Sequence, residues 1–263
     1  MEKYAAKYVV ITGASSGIGK ALALELAKQK ARLVLLARRL PELEEVKLSC
    51  LTMTDYCEVI GMDLAESTSI STAASKIKAL LPSVDLLINN AGISQRGSAR
   101  ATLFETEKLI MQVNFLGPVQ FTKELFPHFN PKGAGIIIIS SVVGLFGFPT
   151  RSSYSASKHA LHGYFNTLAI EETGKIQLLI ACPGRINTPI SYSAVEANGE
   201  AHGKMDPGQA NGIPADVCAR QILKAYSRKK PLILIAKGER LLYWFSKFVP
   251  PVYRLISRKI SPL

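Results

Sequence analysis

The sequence predicts a doubly wound α/β fold, with helices on both faces of a mostly parallel seven-stranded sheet. Three observations lead there. Short apolar, β-branched runs alternate with longer helical patterns along the whole chain. The first of these runs is followed at once by a glycine turn and a helix. The 263 residues, 48% of them hydrophobic, suffice for one large core, and no repeat, low-complexity tract or linker divides them. Residues 1–263 are therefore expected to form one domain.

Tyr8-Val9-Val10-Ile11 is a run of the kind buried on both faces of a parallel sheet. Thr12-Gly13-Ala14-Ser15-Ser16-Gly17-Ile18-Gly19 turns the chain, and 20–30 reads as a helix with Leu22, Leu26 and the alanines on its apolar face. Further strands are expected at 32–37, 58–62, 84–88, 135–140, 176–181 and 232–235. Helices fill the gaps at roughly 41–49, 66–80, 103–128, 152–172 and 214–227.

Two segments point to chemistry. Strand, glycine turn and helix is the context in which backbone amides and a helix amino end cradle a pyrophosphate. Tyr154 and Lys158 lie four residues apart, about one helical turn, so phenol and ammonium share a face. An ammonium near a phenol favours the phenolate and draws its pKa down from ~10. A tyrosine tuned in this way can exchange a proton with a substrate oxygen. Taken alone, Tyr-x-x-x-Lys fits equally an amphipathic helix with one packed tyrosine and one solvated lysine.

Beyond those segments, Asp63-Leu64, Asn89-Asn90-Ala91-Gly92, Asn114, Ser140-Ser141 and Pro183-Gly184 follow in order along the chain. On these motifs the sequence resembles the short-chain dehydrogenase/reductases in their compact form, over nearly its whole length. The resemblance implies a Rossmann fold and a catalytic set of Ser141, Tyr154, Lys158 and Asn114. It implies that Tyr154 passes the proton, Lys158 lowers its pKa and binds the nicotinamide ribose, Ser141 steadies the substrate oxygen, and Asn114 joins a water-mediated relay. Ser140 competes for the serine role, but the spacing to Tyr154 favours Ser141.

The same resemblance implies a dinucleotide site. Gly13, Ser15, Ser16, Gly17, Ile18 and Gly19 would hold the phosphates. Asp63 and Leu64 would meet the adenine, Asn90, Ala91 and Gly92 the adenine-side ribose, and Pro183, Gly184, Ile186 and Thr188 the nicotinamide. Asn89 would steady the central sheet. NAD enzymes commonly place an acid at the end of the second strand for the ribose 2′-hydroxyl. Here Ala37 is followed by Arg38 and Arg39, and a guanidinium suits a 2′-phosphate. NADP(H) is therefore the expected cofactor, with Arg38, first after the strand, favoured over Arg39. Both arginines facing solvent remains the alternative.

Ile93, Val142, Val143, Leu145, Phe146 and Phe148 would give an apolar lining suited to a small hydrophobic, lipid-like carbonyl or alcohol, the alternative being that several of them only pack beneath the loops. A lid is expected at about 188–212. The last third, with Met205-Asp206, Arg228-Lys229-Lys230 and an aromatic tail, resembles the dehydrogenase/reductase member 7 group. The tail, about 238–263, mixes aromatic with basic residues, and Pro250-Pro251 should split it into two short segments. It suits peripheral contact with an anionic membrane or packing against a neighbouring subunit.

Cys50, Cys57, Cys182 and Cys218 have no metal or redox spacing, and no metal site is expected. The net charge is +12, yet no nucleic-acid motif accompanies it, so no nucleic-acid partner is expected. No signal peptide or spanning segment is evident, which makes the cytoplasm, with peripheral contact at a membrane surface, the expected location. The family resemblance suggests a homodimer or homotetramer. Two other functions fit less of the sequence: a 3-oxoacyl-carrier-protein reductase and a non-catalytic NADP(H)-binding sensor.

Overall fold

The computed structural model describes residues 3–259. Seven strands form one sheet: β1 (Tyr8–Thr12), β2 (Arg32–Ala37), β3 (Cys57–Gly61), β4 (Leu86–Asn89), β5 (Ala134–Ile139), β6 (Ile176–Pro183) and β7 (Leu232–Ile235). They stand in the order β7-β6-β5-β4-β1-β2-β3, and every neighbouring pair is parallel. Register pairs Val10 with Val34 on one side of β1 and with Leu87 on the other.

The apolar runs serve two layers, because successive side chains leave opposite faces of a strand. Val9, Ile11, Leu33 and Leu35 pack beneath α1 (Gly17–Ala27), α2 (Leu40–Leu51) and α7 (Ala215–Ser227). Val10, Val34 and Leu36 pack on the other face beneath α3 (Ser67–Leu80) and α5 (Gly117–Leu125). On that face Ile136 and Ile138 of β5 meet Leu161 and Phe165 of α6 (Ser152–Glu171). The four cysteines are free and buried within these layers.

The segment expected as one helix at 103–128 is interrupted. α4 (Phe104–Met111) runs into a π-helical turn, Gln112–Leu116, before α5 begins. Asn114 lies within that turn. The strand expected at 84–88 covers only 86–89, and Val84 makes an isolated bridge to Phe129.

Two short parallel pairs decorate the carboxyl edge of the sheet. Gln95–Arg96 pairs with Val195–Glu196, and Ile186–Asn187 with Ile213–Pro214. The tail folds as α8 (Glu239–Phe248) and α9 (Pro250–Lys259), separated by Val249. Pro250 opens α9 because a first-turn proline has no intrahelical amide bond to lose. Residues 260–263 of the expected tail lie outside the described residues. Leu242, Tyr243 and Tyr253 pack onto the core, and the Tyr253 hydroxyl donates to the carbonyl of Gly147. Among the described residues no helix is long and apolar enough to cross a membrane.

Candidate active site

A cleft of about 1180 Å³ opens at the carboxyl edge of the sheet, where ligands collect in open α/β folds. All of the expected site residues line it except Gly19 and Asn114.

The glycine turn explains itself in backbone terms. Gly13 and Gly17 have φ of +66° and +56°, a region that side chains disfavour. Gly19 is needed for closeness: a Cβ there would stand 2.3 Å from the carbonyl oxygen of Gly13. Asn90 holds the turn from β4, its amide donating to the carbonyls of Thr12 at 2.9 Å and Gly13 at 3.0 Å. The Thr12 hydroxyl in return accepts the backbone N–H groups of Asn90 and Ala91, both at 3.0 Å. Asn89 ties β4 to α5, donating to the Thr122 hydroxyl at 3.0 Å.

The arginines after β2 divide their contacts. Arg38 lies 3.9 Å from the Asp63 carboxylate. Arg39 reaches back to the hydroxyls of Ser15 and Ser16, each at 3.4 Å, and to Glu42 at 3.1 Å. The guanidinium nearest the glycine turn thus belongs to Arg39.

Tyr154 and Lys158 project from the first turns of α6, both buried. Lys158 Nζ donates to the Ile139 carbonyl at 2.9 Å and lies 5.8 Å from the centre of the Tyr154 ring. Ser140 and Ser141 separate by partner. The Ser140 hydroxyl donates to the Lys158 carbonyl at 3.2 Å and meets His162 Nε2 at 3.0 Å. Ser141 donates to the Pro183 carbonyl at 3.3 Å, and its hydroxyl also interacts with Tyr154. Asn114 is fully buried behind these groups. It accepts the Ile93 N–H at 2.8 Å and donates to the Ile93 carbonyl at 2.9 Å and to Ser157 at 3.2 Å. Gly92 fits between: a Cβ there would stand 2.9 Å from Asn114 Oδ1 and 3.4 Å from Lys158 Nζ.

Burial dominates the electrostatics. It pushes the Tyr154 phenol up, opposed by the Ser141 hydroxyl and then by the guanidinium groups of Arg151 and Arg96. Burial pushes the Lys158 ammonium down to about 8. Besides Lys158, whose ammonium stands 5.8 Å from the ring centre, two arginines thus act against burial of the phenol. Arg96 and Arg151 were missed in the sequence. The available signals were that Arg96 follows the Asn-Asn-Ala-Gly turn closely and that Arg151 stands three residues before Tyr154, at the start of its helix.

Ile93, Val142, Val143, Phe146 and Phe148 line the cleft as expected; Leu145 does not, packing instead between the two core clusters on that face. Leu241, Leu242, Phe245 and Ile256 of the tail add to the apolar lining. Among the described residues no group of acidic, histidine or cysteine side chains could hold a metal.

The glycine turn, parallel sheet and buried tyrosine–lysine pair define a nucleotide-binding oxidoreductase of the Rossmann class. The chain belongs to the short-chain dehydrogenase family, whose model matches residues 7–199. It is 38% identical over 260 residues to a Drosophila melanogaster dehydrogenase/reductase SDR family protein 7-like, covering 96% of this chain and 80% of that one. It is 39% identical over 261 residues to the Bos taurus dehydrogenase/reductase SDR family member 7B, covering 95% and 80% respectively. A Burkholderia phymatum short chain dehydrogenase/reductase in complex with NAD superposes with a TM-score of 0.81 at 24% identity, over 100% of this chain and 99% of that one. An alcohol dehydrogenase from Thermococcus sibiricus complexed with 5-hydroxy-NADP superposes with a TM-score of 0.77 at 22% identity, over 89% and 97%.

Proposed function

We propose that the protein is an NADP(H)-dependent oxidoreductase that interconverts a ketone or aldehyde and an alcohol on a hydrophobic substrate. The convergence of Ser141, Tyr154 and Lys158 on one cleft that also contains the glycine turn carries this reading. When bound, the dinucleotide supplies or accepts the hydride at the carbonyl carbon. Tyr154 gives the substrate oxygen a proton, or takes it in the reverse direction. The Ser141 hydroxyl stabilises charge growing on that oxygen. Lys158 holds ribose hydroxyls, and Asn114 keeps Ile93 and Ser157 in place behind it as part of a proton path.

Gly13, Ser15, Ser16, Gly17, Ile18 and Gly19 form the phosphate cradle. Asp63 and Leu64 take the adenine, Asn90, Ala91 and Gly92 its ribose, and Pro183, Gly184, Ile186 and Thr188 the nicotinamide. Arg39, already on Ser15 and Ser16, meets a 2′-phosphate, with Arg38 beside Asp63 on the adenine side. The apolar wall from Val142 to Phe148, joined by the tail, supports a hydrophobic substrate. We further propose a homodimer or homotetramer that touches a membrane peripherally through the tail.

NADPH absorbance followed over a panel of long-chain ketones, aldehydes and a 3-oxoacyl thioester tests the reaction. Oxidation of NADPH by the ketones or aldehydes is expected. Preference for the thioester would favour a 3-oxoacyl-carrier-protein reductase, and no oxidation with any carbonyl would favour a non-catalytic sensor. Titration of the wild type with NADPH and NADH tests the cofactor, and tighter binding of NADH would overturn that choice.

A further inference from the structure

We infer that Arg151, backed by Arg96, forms an anion-binding corner in the substrate half of the cleft, and that the substrate is an amphiphile bearing a carboxylate or phosphate ester. The inference deepens the proposed reaction by naming its substrate class, and it rests on that reading for what happens at the carbonyl.

Arg151 lines the cleft but is only 9% exposed. Its Nη1 donates to the carbonyl of Gln95, to the Thr150 carbonyl at 3.2 Å and to the Thr150 hydroxyl at 3.1 Å. Among the described residues nothing accepts from its Nε or Nη2, and no carboxylate forms an ion pair with it. The Nε–Nη2 edge of a guanidinium presents two parallel donors, the geometry that grips a carboxylate or phosphate side-on.

Arg96 shows what a satisfied neighbour looks like. It donates from Nη1 to the Ser94 hydroxyl at 3.0 Å and to the Gln95 carbonyl at 2.8 Å. Its other side faces the Asp206 carboxylate, with Nε at 3.5 Å and Nη2 closer. Asp206 also accepts from Ser191 at 3.2 Å and lies 3.4 Å from His202 Nε2. Two buried guanidinium groups therefore meet on one carbonyl oxygen, that of Gln95, while among the described residues only the Asp206 carboxylate is ion-paired with either; the Glu196 charge reaches both from further away. Glu196 is turned to His202 Nδ1 at 2.5 Å.

A buried cation without an anionic partner is unfavourable, and Arg151 has a second cation alongside it. Burial, and after it the Arg96 and Arg185 charges, push the Arg151 guanidinium down to about 9, and the opposing pull of Tyr154 and Glu196 does not offset them, as expected for a positive charge with no ion-paired counter-ion. A ligand oxyanion on the open edge removes that imbalance. The same cleft supplies Phe146, Phe148, Leu242 and Phe245 for an apolar body, and Tyr154, one turn along α6, for the reacting oxygen.

The test uses unreactive probes, so that it does not depend on turnover. The full-length protein saturated with NADPH is titrated calorimetrically with a medium-chain alkanoate, the matching alkyl phosphate and the matching methyl ester. At least ~10-fold tighter binding of one or both anions than of the ester is expected, the size of one desolvated charge pair. The better anion identifies the headgroup. Arg151→Gln should abolish the preference without weakening the ester, and Arg151→Lys should restore part of it, with NADPH affinity and melting temperature checking the fold of each variant. Equal binding of anions and ester by the wild type overturns the inference even if no variant folds. A preference that survives in folded Arg151→Gln also overturns it. If the anion preference holds while no ketone oxidises NADPH, the reaction fails and the corner stands; if neutral ketones are reduced with no anion preference, the reverse holds.

Discussion

Tyr154 sits where its own burial opposes its ionisation, so its usefulness depends on neighbours that favour the phenolate. Replacing it with phenylalanine keeps most of the packing and removes the transferable proton. Tyr154→Phe should lower turnover by at least ~10²-fold with little change in NADPH affinity; near-normal turnover would remove Tyr154 from the chemistry. Lys158 gives a second test. Its folded pKa of about 8 lies below the ordinary lysine value because of burial, so above pH 8 the free protein holds it largely neutral. An anionic dinucleotide placed beside it favours the ammonium and raises that pKa. Cofactor binding between about pH 8 and 9 should therefore take up protons, measured as a dependence of the calorimetric binding enthalpy on buffer ionisation enthalpy. Lys158→Met should abolish the uptake. Uptake that persists in the variant would assign it to another group.

At the scale of elements, the glycine turn is the tightest junction in the site. Gly19→Ala would press a methyl group against the Gly13 carbonyl, and the turn must shift to admit it. The expected loss is about 1–3 kcal/mol of stability, read from the urea midpoint, together with weaker NADPH binding. An unchanged midpoint and affinity would show that the turn tolerates the displacement. This junction was legible because strand, turn and helix are consecutive, whereas Asn90, Ser141 and the Tyr154–Lys158 turn were singled out through the family resemblance that their motifs carry together. The π-helical turn around Asn114 was not legible: hydrophobic spacing over 103–128 fits a plain helix, and the bulge is visible only once the Asn114 side chain closes on the Ile93 backbone. The pairing of Arg96 with Asp206 escaped for another reason. They are 110 residues apart, and their ion pair depends on loops whose pairing no local pattern reveals. Whether Leu145 lines the cleft was not legible, because an apolar loop side chain can face either a cleft or a core.

At the scale of the molecule, the charge of +12 and the shape of the tail act together. One side of α8 and α9 supplies Leu242, Phe245 and Ile256 to the cleft, while Trp244, Phe248 and Leu255 are exposed to solvent. Arg254, Arg258 and Lys247 stand on the same two helices. The sequence showed this composition but not that the tail would also wall the cleft, since that depends on Tyr253 reaching Gly147. Vesicles containing anionic lipid should retain the protein, less so as salt screens the charges. The double variant Trp244→Ser, Phe248→Ser should lose retention while keeping its melting temperature. Equal sedimentation of both proteins, or of neither, would leave packing against another subunit as the better account of the exposed rings.

Trp244 is the only tryptophan in the 263 residues, and it stacks on Phe248 at 5.3 Å between ring centres. Indole emission from this protein is therefore a single-site optical signal, and it comes from the helix that also places Phe245 in the cleft. No label has to be introduced to follow the tail. A shift of the emission to shorter wavelength on mixing with vesicles would report transfer of that ring out of water, and a change on adding an amphiphile alone would report events at the cleft wall. The two can be resolved in time by rapid mixing, so the proposed meeting with a bilayer and the uptake of a ligand can each be observed directly and placed in order.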